Sequence, residues 1–341
     1  MTFAIFAASI VYVGIMFMLA RWGDKGGALS QKVTHHPVIY SLALGIYCTS
    51  WTYFGAVGTA STEGWQFLPI LLGPILLFTF GYPILAKLVT VSKKQNVTSV
   101  ADFISSRYGK RQQTALIVTI IATLAIIPYI ALQLKAINAS FSAFSVISSI
   151  QSEQATSAFV ATFVIALFAI LYGARKADVT EYRSGLIFAI AFESIFKLIG
   201  LVISAVIAYM LLKDSTISNT TTNTINTTLN PEIVTSQWQW STMITTDFLV
   251  QTFMAAAAIL CLPRQFHVMV VDNSDKRNLN TARWLFPLYL LLTIIAIVPI
   301  ATAGNHFLAD SGVSRDIFTM QLPLFAGNEW ATLLVFIGGI S

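Results

Sequence analysis

Charged side chains are scarce in this chain: Asp, Glu, Lys and Arg make up 10% of its 341 residues, against about 25% in an ordinary soluble domain. With 56% hydrophobic residues beside them, a water-soluble fold is excluded. Cysteine is nearly absent. Cys48 and Cys261 lie in different apolar segments with no partner spacing, so neither a disulfide framework nor a CxxC metal site is available, and both are read as small buried hydrophobes. HExxH, GxSxG, Walker A and GxGxxG patterns are missing from any workable context, so no catalytic residue and no metal site is assigned. Short alternating strands between turns, the mark of an outer-membrane barrel, are missing too. The 19 glycines and 10 prolines lie largely inside or at the ends of apolar blocks.

Those blocks are about 20 residues long, enough to cross a hydrocarbon core roughly 30 Å thick. They fall near 2–20, 37–60, 67–90, 114–134, 156–173, 185–212, 242–263 and 284–303, and a ninth runs from Glu329 to the last residue, Ser341. The expectation is an all-α polytopic membrane protein with eight full spans and a truncated ninth. No Lys or Arg precedes the first block and Arg21 follows it, the reverse of a signal peptide's charge order, so the block is expected to be retained with the N-terminus outside. Loops 21–36, 87–113, 174–184 and 264–283 carry sixteen Lys/Arg, and the alternate loops only Lys135, Lys213 and Arg315. This bias predicts that the basic loops are cytoplasmic. The net charge of +5 then marks a face beside anionic lipid and calls for no nucleic-acid partner. The outer loop 213–241 contains TISNTTTNTINTTLN, polar and of low complexity, and is expected to be mobile. Its triplets at Asn219 and Asn226 match the N-glycosylation pattern, which is short and which a bacterial host would usually ignore.

Three blocks hold more than apolar residues. The second, HPVIYSLALGIYCTSWTYFGAVGTA, sets Gly45, Gly55 and Gly58 around Cys48, Thr49, Ser50, Trp51, Thr52, Tyr53 and Phe54 at mid-span. Glycine lowers helix stability by roughly 1 kcal/mol relative to alanine. An unwound turn at that depth frees backbone groups that only a ligand, an ion or neighbouring protein can satisfy, as at the broken helices of secondary transporters. A tight helix crossing with hydroxyls bonding between helices explains the same residues. The sixth block holds Glu193 and Lys197 one turn apart, able to pair on one helix face. The pair reads either as a structural ion pair facing the bundle interior or as a gate or proton-linked coupling element. The seventh runs through Ala255–Ala258 to Pro263, where proline ends or kinks the helix and leaves Arg264, Gln265 and His267 at the cytoplasmic mouth. A lone His267 with no second ligand in reach is read as interfacial.

Two stretches, HPVIYSLALGIYCTSWTYFGAVGTA and LPRQFHVMVVDN, with YGARKADVTEYRSG and AFESIFKLIG between them, resemble the sodium/solute symporter-type membrane domain at the N-terminus of certain bacterial sensor histidine kinases. The similarity runs over essentially the whole of 1–341. It implies a LeuT-like fold: an extra first helix and loop over 1–36, a first five-helix repeat over 37–212, and the start of a second, inverted repeat over 242–341. A substrate site would lie between the broken second and seventh segments, with Thr49, Ser50, Trp51, Tyr53 and Phe54 as candidate solute contacts. The carbonyls of Gly45 and Cys48 would be weak ligands for Na+ as coupling ion. Tyr47 stands where proline symporters place an aspartate, and an alanine near Ala258 replaces the family's large aromatic.

The resemblance implies a transporter-like input domain in a bacterial inner membrane that binds or moves a small nutrient, an amino acid or carboxylate. A downstream ATP-using kinase and a response regulator would be its partners, with the lipid bilayer around it. A free-standing sodium/solute symporter and a structural membrane anchor are the alternatives. The last block, at 1.5 Å per residue, rises only ~18 Å, and a helix ending there would leave carbonyls unsatisfied in hydrocarbon. The expectation is therefore that a longer gene encodes the remaining helices and then the kinase.

Overall fold

The computed structural model describes residues 2–145, 184–221, 238, 243–273 and 275–340. The fifth apolar block, 156–173, and the Asn226 triplet lie outside the described residues. With apolar runs of span length and few side chains that compete for backbone groups, the backbone satisfies its own hydrogen bonds as helix, and no strand occurs among the described residues. The helices, in chain order, are α1 Thr2–Asp24, α2 Ala28–Thr34, α3 Pro37–Ala43, α4 Ser50–Glu63, α5 Pro69–Thr79, α6 Tyr82–Lys94, α7 Val100–Arg107 and α8 Gln112–Ser145. They continue as α9 Ser184–Thr221, α10 Thr246–Cys261, α11 Pro263–Phe266, α12 Lys276–Phe307, α13 Phe318–Phe325 and α14 Glu329–Ile340.

Among the described residues three stretches are by themselves long and apolar enough to cross a membrane: Gln112–Ile137, Ser184–Asp214 and Arg277–Phe307. Two bent pairs pass the same test jointly, α5 with α6 at 73° and α10 with Pro263–Val271 at 59°. This is a helical membrane protein. α8 presents Leu116, Ile120, Ile121, Leu124 and Ile127 exposed, apolar surface suited to lipid.

α9 lies at the centre, packed against α1, α3, α12 and α14, while α5 packs along α10. Small residues permit the closest approaches. A Cβ on Gly73 of α5 would stand 2.5 Å from the Thr252 carbonyl oxygen and 2.8 Å from the Ala255 Cβ, so glycine and the alanine run of α10 allow that crossing. At Gly23, an added Cβ would stand 2.5 Å from the Gly185 Cα, and there Asp24 accepts the Gly185 N–H at 2.9 Å. The first helix is thereby fixed to the start of α9.

Three local expectations are corrected. The third block is not one straight helix, because the chain turns at Phe80–Gly81 between α5 and α6. The stretch opening the long outer loop is helical, since α9 runs on to Thr221. Cys48 is buried as expected, but Cys261 is exposed, at the outward face of α10 just before the bend.

Candidate functional site at two facing helix breaks

The second block is interrupted. After α3 the chain tightens into a 3-10 turn over Leu44–Tyr47, then leaves helical geometry at Cys48 (φ −82°, ψ 102°) and Thr49 (φ −98°, ψ 178°) before α4 begins at Ser50. Glycine supplies part of the cause. Gly45 lies so close to α9 that a Cβ there would stand 2.5 Å from Ser194 Oγ and 2.8 Å from its Cβ, so a side chain would push the interrupted turn away from α9.

Backbone groups left open by the break are met by partners from elsewhere. Cys48 N–H donates to the Gly45 carbonyl at 2.9 Å. The Cys48 carbonyl accepts from Lys197 Nζ at 3.1 Å, and the same ammonium pairs with Glu193. Lys197 is therefore not merely one half of an ion pair, for it also holds the broken backbone. At the start of α4, Trp51 N–H donates to Gln133 Oε1 of α8 at 3.1 Å. Thr49, the residue before α4, makes no side-chain cap, and its buried Oγ1 has no hydrogen-bond partner among the described residues.

The second interruption falls at Leu262, which takes extended geometry (φ −65°, ψ 121°) between α10 and α11. Extended geometry is what the residue before a proline prefers. Helical structure then resumes through α11 and a π-helical turn, His267–Val271. Pro263 thus bends the segment rather than ending it. Arg264 and Gln265, just after the bend, lie against the first break. Gln265 Nε2 donates to the Leu44 carbonyl at 3.4 Å, and Gln265 is fully buried. The Arg264 guanidinium stacks 4.6 Å above the Tyr129 ring and donates to its hydroxyl. Below the bend, Tyr40 donates to the Met269 carbonyl at 2.7 Å and Lys93 to the Val271 carbonyl at 2.8 Å. His267 stands 3.5 Å from Asp272.

Two cavities adjoin the first break. One, of about 10 Å³, is lined by Cys48, Thr49, Thr52, Tyr53, Lys197 and Tyr289 among others, and offers room for no more than about one water. The other, of about 140 Å³, is bounded by Trp51, Glu63, Gln66, Phe67 and Gln251 among others.

Of the candidate solute contacts, Thr49 and Tyr53 line the smaller cavity and Trp51 the larger. Ser50 is buried at the head of α4 and lines neither. Phe54 is 1% exposed, meets Tyr53 edge-on at 5.0 Å and sits against Gly339 of α14. Tyr53 turns its hydroxyl to the Val335 carbonyl at 3.2 Å. Tyr47 turns away from the break and donates to the Ile70 carbonyl at 2.6 Å. Gln133 and Tyr289 are not among the candidates from the sequence, and Arg264 and Gln265 are expected there only at the end of the seventh segment. The signal for two of them was present in LPRQFHVMVV: apolar residues resume after Arg264 and Gln265, which marks a mid-segment bend and not an end.

No family model matches the chain, and no solved structure matches it. Over 90 residues it is 34% identical to the uncharacterized symporter YodF of Bacillus subtilis (strain 168), a stretch that covers 26% of this chain and 18% of that protein. The chain thus spans less than a fifth of the relative's length, and the likeness points to a transporter-like membrane protein.

Proposed function

We propose that this chain is a transporter-like input domain that binds a small nutrient, an amino acid or carboxylate, where its two broken helices meet. The observation that carries the reading is that meeting itself: Gln265 of the second interrupted segment bonds the Leu44 carbonyl of the first. Interrupted helices facing one another inside a bundle are the construction that secondary transporters use for solute sites. The start of α4 adds a preference for a carboxylate, because a helix N-terminus presents N–H groups and the positive end of its dipole. Trp51, at the start of α4, lines the roomier cavity and serves as a contact for a solute held there beside the break. Glu193 and Lys197 support the break rather than contact the solute.

The wider assignment follows the sequence resemblance. The domain lies in a bacterial inner membrane with its N-terminus outside, and reports or moves its solute for a two-component sensor histidine kinase that phosphorylates a response regulator. The likeness to a symporter favours transport as the activity of the membrane part, and a free-standing symporter is the second reading. Reconstitution of the full-length gene product in liposomes separates these. Uptake or binding of a labelled amino acid or short carboxylate, lost in Trp51→Ala with expression retained, is the expected result. Neither uptake nor binding across a panel of such solutes would reduce the domain to an anchor.

A further inference from the structure

Na+ is the coupling ion that the sequence resemblance implies, and the carbonyls of Gly45 and Cys48 are the ligands it implies. The geometry does not fit that ion. The Gly45 carbonyl accepts the Cys48 N–H at 2.9 Å, and the Cys48 carbonyl accepts Lys197 Nζ at 3.1 Å. Lys197 is a side chain only 6% exposed, and its carboxylate partner, Glu193, sits one turn earlier on α9. Beside them the cavity holds about 10 Å³, space for one water at most and none for a hydrated ion. A second monovalent cation here would also face the ammonium at short range in a low-dielectric interior, where like charges repel strongly.

We infer that the Lys197 ammonium is a tethered cation that takes the place of a sodium ion at the break of the second segment, so that the site is built to work without sodium. This rests on the transporter-like reading of the two breaks and deepens it. The ammonium supplies what a bound monovalent cation would supply: a positive charge on the freed Cys48 carbonyl, holding the chain in its interrupted geometry. Glu193 balances that charge, so the tethered cation adds no net charge to the buried site. Thr49 Oγ1, buried at the same cavity without a partner among the described residues, remains as an oxygen for a water or a solute group.

The test uses cations alone, so its outcome is independent of whether a solute is found. Full-length protein in detergent is unfolded thermally in sodium chloride and in equimolar choline chloride. A ligand that binds only the folded state raises the midpoint, so a tethered cation predicts the same wild-type midpoint in both salts. A wild-type midpoint raised by sodium would overturn the assignment while leaving the solute-site reading intact. Lys197→Ala should unfold earlier in choline and recover in sodium or methylammonium, which can enter the vacated position. Lys197→Arg, which keeps a cation, should stay indifferent to sodium. A folded Lys197→Ala protein that responds to neither small cation contradicts the proposal.

Discussion

The first broken segment has no proline between Pro37 and Pro69, and leaves helical geometry at Cys48 and Thr49. The second breaks at Leu262, directly before Pro263. One interruption therefore rests on tertiary partners, namely the Lys197 ammonium, the Gln133 side chain and the close approach of Gly45 to α9. The other is encoded in the covalent chemistry of two adjacent residues. A break held by distant groups can respond to changes in those groups, whereas one fixed by proline acts as a permanent bend. The first segment is accordingly the responsive half of the site and the second its frame.

The largest effect expected from this contrast is at Lys197. Lys197→Met leaves the Glu193 carboxylate uncompensated and the Cys48 carbonyl open, and should cost about 3–5 kcal/mol of stability. Adding Glu193→Gln should be milder than the two single losses combined, with a coupling of about 1–3 kcal/mol in a double-mutant cycle of unfolding. Additive losses would break the contrast at its root. Next comes packing at the break. Gly45→Ala forces a methyl group against Ser194 and should cost about 1–3 kcal/mol, much of it recovered when Ser194→Gly is added; no recovery would mean that the turn's position does not depend on α9.

Gln265→Leu removes the link between the two breaks and should cost about 1 kcal/mol, read as a lower unfolding midpoint. Smaller still is Pro263→Ala, at less than about 1 kcal/mol, because a lost proline mainly frees the unfolded chain. Pro263→Ala costing more than Lys197→Met would invert the roles of the two segments.

The smallest effect lies away from both breaks, in the loop that covers α4. Asp316 packs against Gly58, and burial raises its carboxyl above the ordinary value of 3.8, with Lys135 opposing. The folded state thus keeps this proton to higher pH than the unfolded chain. Its contribution is full below pH 3.8 and fades as pH rises through the folded value. Asp316→Asn should flatten that decline in a pH series of unfolding midpoints, and an unchanged slope would assign the decline to other groups.

Much of the helical layout was legible in the sequence, because apolar block length is a direct consequence of backbone satisfaction in lipid. The interruption within SLALGIYCTSW was legible from its glycines and hydroxyls. What holds it was not. Lys197 and Cys48 lie 149 positions apart, and the i,i+4 spacing of Glu193 and Lys197 suggested a self-sufficient pair, which hid the third partner. The roles of Arg264 and Gln265 were obscured because proline followed by basic and polar residues looks the same at a helix end and at a mid-segment bend. Trp51 and Phe54, three positions apart, are both candidate solute contacts in the sequence. On α4 they point to different surroundings, Trp51 to the larger cavity and Phe54 to Gly339 of α14.

The central claim is that the two interruptions face one another to form one site, and its most direct test is a cross-link between them. In a protein lacking Cys48 and Cys261 through alanine replacement, Leu44→Cys and Gln265→Cys are introduced together, with a protease site placed in loop 213–241 so that cleavage separates the two halves. Treatment with a short thiol-specific bifunctional reagent in the membrane should keep the halves joined after proteolysis, and joining should require both cysteines. Halves that separate in every case, while each cysteine alone is shown to react, would mean that the breaks do not meet.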